Sequence, residues 1–238
     1  MPRISIYLRL CFLVFLASLF FVFYELIPIN TKDYNEIIDD YTRCLLDVHR
    51  ALGALSISWF ITFGSALMYW RSRNFTSTDM DIGIFYTDLK AKAFNDKKFI
   101  KIMRKKFHFN FLHHYGHIDH GQEWTFSCPK SNIPIDIFVY YRLNELNKSS
   151  DYWSATYNGL CNNMIYKKCR WRFKQFNLTT FEMFKRKFYI VPLEFIKERY
   201  GKNYMIPHKY DYFESLKFLP NLIEEYDVNT TNSKRKKK

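Results

Sequence analysis

The chain has 238 residues, of which 48% are hydrophobic and 20% aromatic, with only seven glycines and seven prolines. That composition supplies apolar surface for one good core and argues against a disordered or repetitive chain, so one globular domain is expected beside any targeting segment. The formal net charge of +13 points to nucleic acid, an anionic membrane or a phosphorylated substrate, without choosing among them.

From Leu10 to Tyr24 every residue is apolar or small. Adding Ile4 to Leu8, with Arg9 snorkelling to the headgroups, extends the stretch to about twenty residues, enough for a membrane span. Arg3 and Arg9 precede it and Glu25 follows, so the positive-inside rule places the N-terminus in the cytosol and everything after Pro28 in the lumen. A cleaved signal peptide is the alternative. The long apolar region and the lack of a small-x-small site before Glu25 favour a retained anchor.

Asp33 with Glu36 forms a capping-box pattern, and Tyr34, Ile37, Ile38, Tyr41, Leu45, Val48, Leu52 and Leu55 recur at helical spacing, predicting a helix that leans on a sheet. The apolar run Trp59 to Phe63 predicts a strand. Gly64-Ser65 follows as a small-residue turn that lets backbone approach a ligand, and a helix starting at Ser65 would aim N–H groups at phosphate.

Asp79 and Asp81 then stand i and i+2 on a predicted strand, sharing one face while Met80 and Ile82 point to a core. Two such anions repel unless a cation lies between them, and Mg²⁺ or Mn²⁺ takes carboxylate oxygens together with water and substrate phosphate. A lone Asp-x-Asp also suits a solvated strand edge. The combination with Gly64-Ser65, and with a third acid, Asp136, in the strand-like run Ile133 to Val139, is more specific.

Lys90 to Lys106 reads as one basic helix with a solvated face. Phe107 to Trp124 carries His108, His113, His114, His117 and His120 around Gly116, which suits a hairpin with exposed imidazoles better than a metal site. Beyond Tyr141 the chain reads as loop to Cys161. Tyr166 to Phe188 is then basic and aromatic, a pattern that fits a nucleic-acid strand, a nucleotide diphosphate, an anionic glycan or a plain solvated face. The tail Lys234 to Lys238 predicts disorder.

Three acids on neighbouring strands beside a Gly-Ser turn make the pattern of the polymerase-β-like nucleotidyltransferase fold. Thr78 to Phe85, Asp136-Ile137-Phe138 and the later stretch Val191 to Pro207 together resemble fukutin and its relatives, a family that includes the LicD-type phosphocholine transferases. The similarity runs from Leu45 to Pro220. Where LicD proteins usually carry a further acid this chain has Gly83, as fukutin does, which places the resemblance nearer to fukutin.

The resemblance implies an α+β fold: a nucleotidyltransferase-like mixed sheet flanked by helices, after one N-terminal transmembrane helix. The expected organisation is a cytosolic tip and signal-anchor over 1–28, a luminal catalytic domain over 29–224 and a basic tail over 225–238. The implied activity is a metal-dependent phosphotransferase. It moves a phospho-polyol such as ribitol phosphate from a CDP-linked donor to a sugar hydroxyl on a glycoprotein glycan, in the Golgi or endoplasmic reticulum as a single-pass type II protein. Asp79, Asp81 and Asp136 would hold Mg²⁺ or Mn²⁺, with Asp136 also taking the acceptor proton. Gly64 and Ser65 would present backbone donors to the pyrophosphate, Arg71 would neutralise developing charge, and Tyr200 with Gly201 belong to the C-terminal motif.

A nucleic-acid nucleotidyltransferase would explain the basic charge but conflicts with the anchor and with the sequons at Asn74, Asn147, Asn177 and Asn229, so no nucleic-acid partner is expected; Asn147, Asn177 and Asn229 are the expected glycosylation sites. Other Golgi glycosyltransferases are possible partners. A LicD-type phosphocholine transferase and a non-catalytic partner of another glycosyltransferase are the alternatives. Cys44, Cys128, Cys161 and Cys169 make an even set for an oxidising lumen, with Cys161–Cys169 favoured by loop length and a zinc site, which some relatives carry, as the alternative.

Overall fold

A computed structural model of the chain describes residues 39–75, 78–143, 151–158, 167–207 and 221–227. The expected anchor, the Asp33/Glu36 capping box, Cys161, Asn147 and Asn229 lie outside these residues. Among the described residues no helix is long and apolar enough to cross a membrane.

Helix α1 (Asp40–Ala54) buries Tyr41, Cys44, Leu45, Val48, Ala51 and Leu52, the stripe that its spacing predicts. Strand β1 (Trp59–Ile61) leads directly into helix α2 (Phe63–Ser72), and β2 (Met80–Phe85) follows. The basic segment expected to be one helix is two: α3 (Tyr86–Ala91) and α4 (Asp96–Phe107). The break has a local cause. Asn95 caps α4 by accepting a hydrogen bond from the Lys98 backbone N–H at 2.9 Å, and Ala93 turns the chain at φ +50°.

Strands β3 (Asn110–His117) and β4 (His120–Ser127) form the expected hairpin, with His108, His113, His114, His117 and His120 all exposed. Its turn lies at Ile118-Asp119, whereas Gly116 occupies a strand irregularity at φ +77°. Strand β5 (Pro134–Arg142) carries Asp136. Strand β6 (Tyr152–Asn158) stands where loop was expected, and β7 (Lys167–Phe173), β8 (Thr179–Met183), β9 (Arg186–Ile190), α5 (Leu193–Tyr200) and β10 (Leu222–Asp227) complete the order. In β7 the basic-aromatic alternation is strand periodicity: Trp171 and Phe173 are buried, and Arg172 between them faces water.

The ten strands found among the described residues make one mixed sheet, ordered β10-β7-β6-β5-β2-β1-β9-β8, with the hairpin attached through β4 to β5. Strand β5 runs parallel to β2 along one edge; its other edge pairs with β4 over Pro134 to Phe138 and with β6 at Tyr141 and Arg142. One face of the central strands is wholly apolar: Met80, Ile82, Ile84, Ile135, Ile137, Val139, Trp124 and Phe126 are fully buried. Helix α4 covers part of that face, with Phe99 4.6 Å from the Trp124 ring. The opposite face packs Phe60, Phe138 and Tyr140 against Phe63 of α2 and Phe195 of α5. A disulfide between Cys44 of α1 and Cys128, just past β4, ties the first described helix to the hairpin. Those two cysteines are thereby removed from any zinc site. Cys161, half of the pair favoured by loop length, is outside the described residues.

Candidate active site

Strand β1 is antiparallel to β2, so the turn that follows β1 lies beside the first residues of β2. In that turn Phe63 adopts φ +40°, a left-handed conformation whose strain is of order 1 kcal/mol or more for a residue with a side chain. Its ring is locked by Phe138, with centroids 4.7 Å apart, and by Phe173 and Phe195. The strained residue delivers Gly64 and Ser65 to Asp81. The Ser65 backbone N–H donates to Asp81 Oδ2 at 3.0 Å, and the Asp81 backbone N–H donates to Ser65 Oγ at 2.8 Å. A Cβ on Gly64 would stand 2.9 Å from Asp81 Oδ2, so only glycine leaves the carboxylate its seat. The Gly64 and Ser65 N–H groups, expected to face a phosphate, serve the acid in this arrangement.

Asp81 pairs directly with Asp136 across the parallel strands β2 and β5. Asp79, expected on the strand face with Asp81, lies in the bend just before β2, which starts at Met80. It still acts on both partners electrostatically. Burial, then the charges of Asp79 and Asp136, push the Asp81 carboxyl well above its ordinary range, against the opposing hydrogen bonds from Ser65 and Gly64. Burial also raises Asp136, opposed by a hydrogen bond from Thr125 and assisted by the charge of Asp79. The Thr125 hydroxyl donates to Asp136 Oδ1 at 2.6 Å. The three carboxylates offer only oxygen as donor chemistry. Among the described residues no three His, Cys, Asp or Glu side chains already close on one point as a full ligand set.

Thr125, which sequence reasoning passed over, and His113, read there only as an exposed hairpin imidazole, complete the setting. His113, Thr125, Asp136 and Asp81 occupy one lateral row across β3, β4, β5 and β2, so they share a face, and the His113 charge acts on Asp136. The available signal was the alternation Glu123, Thr125, Ser127 in β4, three polar residues that are buried on the acidic face. Below Asp81, the Tyr140 hydroxyl and Thr62 Oγ1 share a 2.6 Å hydrogen bond, and burial raises the Tyr140 pKa.

Arg71 stands near the end of α2, and its Nε and Nη2 donate to the carbonyl oxygens of Tyr204 and Ile206. It therefore ties the glycine-serine helix to the C-terminal motif. Tyr200 closes α5 and acts electrostatically on Tyr140, and Gly201 ends that helix at φ +80°. The described cavities, of about 580 and 610 Å³, are lined by other residues than the acids.

No known protein family matches the chain, and no curated protein matches it.

Proposed function

We propose that the chain is a divalent-cation-dependent phosphotransferase of the fukutin-like kind, transferring a phospho-polyol group from a CDP-linked donor to a sugar hydroxyl on a glycoprotein glycan. The observation that carries this reading is the direct pairing of Asp81 with Asp136 beside the Gly64-Ser65 turn, with Asp79 in electrostatic range. Two neighbouring carboxylates suit a hard cation, since Mg²⁺ or Mn²⁺ needs only one or two and fills its shell with water and phosphate oxygens. Asp79, Asp81 and Asp136 would hold it, and its charge would offset that of the donor pyrophosphate.

In the transfer, the acceptor hydroxyl oxygen bonds to the phosphorus that carries the polyol, the pyrophosphate P–O bond breaks, and CMP departs. Asp136 receives the hydroxyl proton, and a carboxylate whose pKa is raised by burial is the better base for it. Thr125 fixes the Asp136 carboxylate through Oδ1, while Ser65 and Gly64 fix Asp81. A luminal setting, with membrane attachment through the N-terminal segment, is supported by the Cys44–Cys128 disulfide and by the exposed sequon residue Asn177.

The test is release of CMP by the full-length protein from CDP-ribitol, CDP-glycerol and CDP-choline, with Mn²⁺ and a glycan acceptor. Release from a polyol donor, abolished in Asp136→Asn, is expected. Preference for CDP-choline would make the chain a phosphocholine transferase. Loss of none of the activity in Asp136→Asn, or no activity with any donor, would overturn the assignment.

A further inference from the structure

Helix α4 buries Phe99 and Met103 and turns Lys97, Lys101, Arg104 and Lys105 outward, at i, i+4, i+7 and i+8. These four cations line one side of an open groove of about 610 Å³, whose remaining lining is Ile100, His108, Phe109 and Asn110. No carboxylate contributes to it. Neighbouring lysines on the same helix are engaged: Lys98 Nζ donates to the carbonyls of Lys92 and Ala93, and Lys106 lies over the Phe107 ring. The four groove cations make no ion pair, hydrogen bond or ring contact among the described residues. Like charges at helical neighbour spacing cost stability, so this row is a standing deficit that an anion would relieve.

The row extends about 12 Å along the helix, which exceeds a single phosphate and matches a chain of charged units. The concave shape suits a strand lying in it better than a flat lipid surface. A single-stranded nucleic acid would need a series of aromatic faces on which to stack its bases; of the rings lining this groove, Phe109 is only 2% exposed, which leaves the His108 imidazole alone to offer a face. We infer that the α4 groove binds a linear polyanionic glycan, sulfated or phosphorylated, through Lys97, Lys101, Arg104 and Lys105. The groove belongs to the helix on the apolar side of the sheet, so this binding is separate from the acids on the other face.

The experiment uses the full-length chain in non-ionic detergent, titrated with a fluorescent heparin octasaccharide, its desulfated form, a phosphorylated oligomannoside, an oligothymidylate of eight nucleotides and phosphatidylserine vesicles. Binding of the sulfated or the phosphorylated glycan is expected, the tighter of the two naming the group that is read, with the desulfated form inert. The triple change Lys101→Ala, Arg104→Ala and Lys105→Ala, all at exposed positions, should weaken binding at least about tenfold and flatten its salt dependence, as loss of counterion release requires. Asp136→Asn should bind the glycan like the wild type, so this result stands apart from the fate of the transferase reading. Equal affinity in the triple variant, or tighter binding of oligothymidylate or vesicles than of either anionic glycan, would overturn the inference.

Discussion

Asp81 and Asp136 are lateral neighbours on adjacent parallel strands, and Asp136 helps to hold the Asp81 carboxyl above its ordinary pKa. Parallel neighbours come from distant stretches of chain, here 55 positions apart by their numbers, so the pairing is a tertiary achievement of β2 and β5. What keeps Asp81 in place is local by comparison: a strained Phe63, a glycine without a Cβ, and a serine that both donates to it and accepts from it.

Two glycines on these elements should respond oppositely to alanine. Gly64→Ala meets only the end of the Asp81 side chain, which can swing aside, so stability should stay within about 1 kcal/mol while any response to Mn²⁺ is lost. Gly83→Ala meets the Phe60 ring at 2.4 Å and the Tyr140 ring at 2.8 Å, and overpacking of that kind costs about 1–3 kcal/mol or more. Thermal melts of both variants with and without Mn²⁺ check the pair. The same contacts explain why no acid stands at position 83: two aromatic rings fill its space.

His49 should make the protein acid-sensitive. Its ring lies against Phe188 and Trp59, and burial, with a smaller effect of the Arg186 charge, lowers its pKa below the ordinary 6.5. A histidine depressed in the folded state contributes stability that is present above the unfolded pKa and lost as pH falls through the folded one. Stability measured by urea melts should therefore decline from about pH 6.5 downward. His49→Gln should flatten that part of the profile; an unchanged slope would remove His49 as its source.

The Cys44–Cys128 bridge closes a sequence separation of 84 residues. In the chain-entropy account a loop of that length is worth about 4–5 kcal/mol. Cys44→Ala with Cys128→Ala should lower the melting temperature by many degrees, and a reducing agent should do the same to the wild type but not to the double variant. An indifferent melt would place the two thiols apart.

Much of the site was legible in sequence because it rests on short-range alternation: Met80 and Ile82 inside, Asp81 between them, Asp136 flanked by buried Ile135 and Ile137. Partners that come from other strands were not legible. Thr125 reaches Asp136 only once β4 has folded back on β5, and Cys44 reaches Cys128 only after α1 has packed. The basic stretch after Tyr86 concealed a helix break because Asn95 caps through its side chain amid a run of good helix formers. Strand β6 escaped notice because its apolar positions, Trp153 and Ala155, are few and its neighbours are polar.

Asn177 stands exposed in the segment between β7 and β8, followed by Leu178 and Thr179. If the domain faces the lumen, the protein expressed with microsomes should shift on glycosidase treatment, and Asn177→Gln should remove one step of that shift. Its C-terminus should also resist added protease. A C-terminus open to protease, without any glycan, would place the domain in the cytosol.

We propose that Asp79, Asp81 and Asp136 form a divalent-cation site. Its most direct test is the melting temperature of wild type, Asp81→Asn and Asp136→Asn across a Mn²⁺ titration after chelator treatment. Removing one of several crowded carboxylates relieves repulsion, so both variants should melt without metal at or above the wild-type temperature. Mn²⁺ should raise the wild-type melting temperature, by about 2.7 kcal/mol of stabilisation at a hundredfold excess over Kd, and leave both variants unmoved. His117→Ala and His120→Ala, on the exposed hairpin, should respond as the wild type does. A wild type indifferent to Mn²⁺, or an Asp81→Asn variant stabilised as strongly as the wild type, would rule out a cation site at these three acids.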